Sequence, residues 1–192
     1  MNHLFENLAS LLEYPSSDLN LRVERAKQWL IQEPEVAVQF ISFRRKIRAF
    51  PVDKLQELYT QTFDLNPVCT LDIGYHVFGE NYKRGELLAK LRETEAPFEL
   101  GQDNQLPDHL PVLLRLLAKL EDEELRLALI GEILIPALAR MLEALSHTEN
   151  PYRDLIEVIS NALKNELPLG SSLGAGEEIP ELYRISSKAT AR

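Results

Sequence analysis

Apolar residues recur at helical spacing along almost the whole chain, and no segment sustains strand alternation between turn signals. Leu4, Leu8, Leu11 and Leu12 form one stripe that stops at Tyr14-Pro15, after which Ser16, Ser17 and Asp18 offer caps for a helix through Trp29-Leu30. Pro34 fits the first turn of a third helix running to about Phe50. Pro51 and Asp53 open a fourth, with Asp53 and Gln56 spaced as a variant capping box and Leu55, Leu58, Tyr59, Thr62 and Phe63 on one face. After a turn at Asn66-Pro67, the pattern predicts helices from about Val68 to Phe78, stopped at Gly79, and over Lys83–Glu95. An irregular connection follows through Pro97, Gly101 and Pro107. Asp108–Leu120 is apolar almost all round and reads as a central helix. Glu121–Leu145 reads as a long helix kinked at Pro136, whose ring removes the bond to Glu132, and Tyr152–Leu167 is the last helix. The expectation is an all-α, single-domain helical bundle over residues 1–167, with a mobile tail over 168–192, where Gly170, Gly174 and Gly176 fall among serines.

A chain of 192 residues supports one ordinary core without staples. Its single cysteine, Cys69, excludes an intrachain disulfide and a cysteine-built zinc or iron–sulfur site. Twenty-one basic against 30 acidic residues give a net charge of −9, which argues against duplex nucleic acid or an anionic membrane as partner. The deficit is local: residues 55–167 hold 20 acids and 10 bases, whereas residues 20–54 hold 8 bases and 4 acids. A basic partner is therefore expected on the middle and late helices. The opening MNHLFENLASLLEYP shows no basic segment leading to an apolar run, and Arg126, Glu132, Pro136 and Arg140 interrupt the most apolar stretch. The expected setting is cytoplasmic, without membrane insertion.

The densest constellation is ELYTQTFDLNPVCTLDIGYHVFGENYKRG, residues 57–85. On a Val68–Phe78 helix, Asp72 and His76 fall at i, i+4, a spacing that serves an oriented general base or, more simply, a surface ion pair. No nucleophile or further ligand has a recognisable spacing to them; His3, His109 and His147 are scattered, and phosphate-binding glycine loops are absent. No catalytic residue, metal or other cofactor is expected. Cys69 reads as a small buried hydrophobe, and Arg44, Arg45, Lys46 and Arg48 as a solvated helix face. Glu57, Tyr59, Phe63, Asp64, Asp72, Tyr75, His76 and Phe78 place aromatics and carboxylates together, a mixture suited to a peptide with apolar and basic side chains. The competing reading makes those aromatics core and those acids solvated.

Tyr59, Phe63-Asp64, Pro67, Cys69, Tyr75-His76, Phe78-Gly79 and Lys83-Arg84-Gly85, followed by Leu106-Pro107-Asp108-His109-Leu110-Pro111, together resemble the motif set of the nitrate reductase delta-subunit family, the NarJ-type assembly chaperones. The opening LASLLEYP is similar to that family's start as well. The resemblance implies a helical cytoplasmic chaperone, within the wider class of redox enzyme maturation chaperones, dedicated to one molybdoenzyme. Its partner would be the apo catalytic subunit, engaged through a basic N-terminal peptide, kept competent for molybdenum cofactor insertion and held back from the membrane. In that reading the peptide lies on the eight residues above, and His76 makes its pairing pH-sensitive. Arg84 forms a structural ion pair, while Pro107 and Asp108 shape and cap the following helix. A structural subunit of a redox complex, or an enzyme using Asp72 and His76, are the alternatives.

Overall fold

A computed structural model describes residues 3–31, 34–65, 69–100 and 105–168. The expected turn at Asn66-Pro67 and the tail beyond Pro168 lie outside them. Every regular element among these residues is helical. In chain order they are α1 (His3–Leu11), α2 (Leu19–Leu30), α3 (Pro34–Arg48), α4 (Val52–Tyr59), α5 (Ile73–Phe78), α6 (Tyr82–Glu95), α7 (Leu110–Lys119), α8 (Glu123–Ala128), α9 (Ile135–Ala144) and α10 (Pro151–Lys164). No helix among them is long and apolar enough to cross a membrane.

The stripes read from the sequence are the faces that pack. Phe5, Leu8 and Leu11 of α1 lie against α7, which is buried from Leu110 to Leu114 and again at Leu116 and Leu117. Helix α3 turns Phe40, Phe43 and Ile47 towards α10, whose Leu155, Ile156 and Ile159 are fully covered. Ion pairs lock α3 on both sides: Arg44 and Arg48 meet Glu24 of α2, and Lys46 meets Asp154 of α10 at 3.1 Å. The run of bases is thus partly committed within the fold, and Arg45 is exposed.

Two helices leave α-geometry where the sequence strains it. Thr60–Asp64 continues α4 as a wider π-turn, closed by Leu65 N–H on the Thr60 carbonyl at 3.0 Å. The Thr62 hydroxyl donates to the carbonyl of Leu58 at 2.5 Å, adding a side-chain bond to the preceding turn. Leu129–Leu134 is a second π-turn, between α8 and α9, immediately before Pro136. This local change of helical pitch falls just before Pro136, where the sequence predicts a kink. The Asp53–Gln56 capping box does not form: Pro51 occupies the N-cap position, and Gln56 Nε2 reaches across to the Pro15 carbonyl at 2.8 Å. The tertiary bond takes the Gln56 side chain away from the helix start, where Pro51 has no N–H to donate to it.

Candidate functional site

The motif residues assemble into a buried clasp. The expected helix from Val68 begins only at Ile73; Cys69–Asp72 run irregularly, and Asp72 forms an isolated antiparallel bridge with His109. The carbonyl of Asp108 accepts the first amide of α5, Ile73 N, at 2.9 Å, and its carboxylate accepts the second, Gly74 N, at 3.2 Å. A residue 34 positions away in the chain therefore caps α5, satisfying amides that a helix start leaves orphaned. The sequence reading put the capping role of Asp108 on the helix that follows it, but the N-cap there is His109.

Arg84 of α6 closes the clasp. Its Nε donates to Asp108 Oδ2 at 2.9 Å and its Nη2 to Asp72 Oδ2 at 3.3 Å, the structural pairing expected of it. Asp108 is fully buried, so Arg84 is the charge that makes its burial tolerable. There is no room for a side chain at Gly74: a Cβ would sit 2.6 Å from Asp108 Oδ2 and 3.1 Å from Leu87 Cδ2. Gly79 ends α5 at φ +62°, which only glycine adopts readily at that ψ of −144°.

Asp72 and His76 do not make the ion pair that a continuous helix predicts. Asp72 turns to Arg84 and to His109, whose Nδ1 lies 3.3 Å from Asp72 Oδ1. The hydrogen bond with His109, helped by its charge and that of Arg84, holds the Asp72 carboxyl below the usual carboxylate range against the effect of burial. His76 is buried with its Nε2 2.7 Å from the Thr70 carbonyl, and Arg140 donates to the His76 carbonyl. Burial is the main reason its imidazole pKa falls below the ordinary value. Because the unfolded chain then binds a proton that the folded chain refuses, His76 should withdraw stability as pH falls below about 6.5. We expect urea midpoints to drop between pH 7.5 and 5.5 and His76→Gln to flatten that drop; an unchanged slope in the variant would clear His76.

The other predicted residues separate by depth. Tyr59 and Phe63 are buried and form edge-on contacts with Tyr152, at ring-centroid distances of 5.7 and 5.1 Å. The Tyr59 hydroxyl donates to the Leu12 carbonyl at 2.9 Å, and burial raises its phenol pKa. Glu57 is exposed and accepts from Lys54 at 2.6 Å, a bond that lowers its pKa. Tyr75 and Phe78 are half-buried on α5, with the Arg84 guanidinium 5.9 Å from the Tyr75 ring centroid. Cys69 is buried, and desolvation pushes its thiol up to about 12, far from a nucleophile's range. Among the described residues no group of three or more His, Cys, Asp and Glu side chains is placed to hold a metal ion.

A cleft of about 510 Å³ opens between the α1–α2 loop, the end of the π-turn after α4 and the start of α7. Tyr59 and Asp64 line it, joined by Glu13 and Tyr14 from the α1–α2 loop and by His109, Pro111, Val112 and Arg115 around the start of α7. Tyr14 stands 51% exposed with its ring edge-on to Tyr59 at 5.4 Å. The π-turn sets the contrast here: Phe63 goes inward, while Asp64 and Leu65 face out. Leu65 and Leu106 are exposed and adjoin the lining residues Asp64 and Gln105 in the chain. Asp64 has no cationic partner among the described residues. Glu13, Tyr14 and Arg115 escaped the sequence reading because α1 meets α7 only in the fold; LASLLEYP was the one signal pointing to Glu13 and Tyr14. A larger hollow of about 700 Å³ lies beside Phe98 and Leu117, but its cations are engaged, Lys119 on the Glu99 carbonyl and Arg126 on Glu166.

The fold and its clasp define an all-α, single-domain protein organised around a polar tie between α5, α6 and the start of α7. Residues 32–156 match the family model described as nitrate reductase delta subunit, and the chain belongs to that family. It is also 28% identical over 165 residues to the probable nitrate reductase molybdenum cofactor assembly chaperone NarJ of Bacillus subtilis (strain 168), an alignment covering 84% of this chain and 88% of that protein.

Proposed function

We propose that this protein is an assembly chaperone for a molybdoenzyme such as nitrate reductase. It binds the apo catalytic subunit, keeps it open for molybdenum cofactor insertion and delays its docking at the membrane. Family membership and the similarity to an assembly chaperone support the general role. The finer part rests on the cleft, lined by an exposed tyrosine and by a carboxylate with no cationic partner among the described residues.

In this reading a basic N-terminal segment of the client folds its apolar side chains over Tyr14, Leu65 and Leu106. A cationic side chain meets Asp64. Tyr59 and Phe63 form the floor that fixes Tyr14 and the π-turn. Asp72 contributes through His109, which it positions at the edge of the cleft. Glu57, Tyr75, His76 and Phe78 act at a distance, by supporting α4 and α5.

Calorimetric titration with a synthetic N-terminal peptide of the catalytic subunit, at two salt concentrations, tests this directly. Micromolar binding that weakens with salt is expected, and Asp64→Asn should loosen it about fivefold, the worth of one modest ion pair. Equal affinity in the variant would remove Asp64 from the contact. The family's description as a subunit favours a second reading, a component retained in the finished complex. Stoichiometric copurification with mature, cofactor-loaded enzyme would select it.

A further inference from the structure

Glu13 is held from two sides. Its Oε2 lies 3.4 Å from Arg22 Nη1, and Arg22 is itself buried, donating to the carbonyls of Ser10 and Tyr14. Its Oε1 accepts from Arg115 Nη2, which comes from α7, 102 positions along the chain. Glu13 and Arg115 both line the cleft that holds Tyr14 and Asp64. The two bonds differ in kind. Arg22 stands in the first turn of α2, where Ser16 and Asp18 of the α1–α2 connection also engage it, so it fixes Glu13 in place. Arg115 rises from the second turn of α7 and reaches across to the loop carboxylate, its one ionic partner among the described residues.

We propose that Arg115 is an internal occupant of the cationic subsite, a latch that a client's guanidinium or ammonium group must displace from Glu13. The proposal rests on the chaperone reading and adds a regulatory element to the same site. Glu13 Oε1 is already oriented by Arg22 on its other oxygen, so the subsite is preformed and only its tenant changes. With the latch closed, Asp64 is the cleft's one anionic acceptor without a cationic partner among the described residues. With it open there are two. A closed latch also shields Glu13 from small cations and from unsuited basic peptides, so it sets a threshold for client selection.

The test is a titration of the full-length protein with the same synthetic peptide, comparing wild type, Arg115→Gln, Glu13→Gln and the double variant, each checked for folding by circular dichroism. Arg115→Gln should tighten binding about three- to fivefold, as expected for removing a part-exposed competing ion pair. Glu13→Gln should weaken it, and the double variant should match Glu13→Gln, because the latch acts only through Glu13. Binding by Arg115→Gln where wild type shows none would equally support the latch. Unchanged or weaker binding by Arg115→Gln, with wild type still binding, would overturn the latch and leave the chaperone reading intact. Failure of all four proteins to bind the peptide while wild type binds the full apo-subunit would discard the latch together with the peptide site. Failure on both ligands would discard the chaperone reading as well.

Discussion

Asp108→Ala is expected to destabilise the protein by about 3–4 kcal/mol, the range for removing one member of a buried ion pair. The loss has three parts. Arg84, less than one-fifth exposed, loses its closest carboxylate and keeps only the longer contact with Asp72. Gly74 N–H loses its acceptor at the start of α5. A void opens where no side chain of Gly74 can grow to fill it. Urea unfolding measures the total, and a loss below about 1 kcal/mol would show that the clasp is incidental, since that is the scale of an exposed pair. The double variant Asp108→Ala with Arg84→Ala should recover part of the loss, because it leaves no buried charge unanswered.

Tyr59→Ala should cost about 3–5 kcal/mol, as large aromatic truncations in a packed core do. Tyr59 supports three rings at once, those of Tyr14, Phe63 and Tyr152. Tyr59→Phe keeps the rings and removes only the bond to Leu12, leaving that carbonyl unpaired at a cost of about 1 kcal/mol. Tyr14→Ala makes the opposite split. Half exposed at the cleft, it should change the melting temperature little and weaken client peptide binding severalfold. If Tyr59→Ala left stability intact, the aromatic cluster would not be core; if Tyr14→Ala left binding intact, the ring would not face the client.

The helical order of the chain was legible because each amphipathic stripe needs only its own few turns to declare itself. Gly79 marked the end of α5 for the same local reason, a left-handed glycine. The segment before Ile73 misled for an equally physical one. Leu71, Tyr75 and Phe78 keep the helical period, but the Leu71 carbonyl is taken by Leu110 N–H at 2.8 Å. A distant strand-like bridge outweighed the local pattern, and the supposed Asp72–His76 pair went with it. The candidate site divided similarly. Tyr59, Phe63 and Asp64 share one stretch of sequence, yet the π-turn gives the rings to the core and Asp64 to solvent. The partner wall of the cleft, Glu13 and Arg115, becomes visible only once α1 lies on α7.

Cys69 has a practical consequence. It is the chain's one thiol, fully covered, and it sits three residues before the bridging Asp72. With its ionisation pushed to about 12, alkylating reagents meet almost no thiolate while the clasp is closed. Each labelling event therefore records an opening of that region, so the native protein carries a single-site clock for how often α5, α6 and the start of α7 come apart, and for how far a bound client slows it.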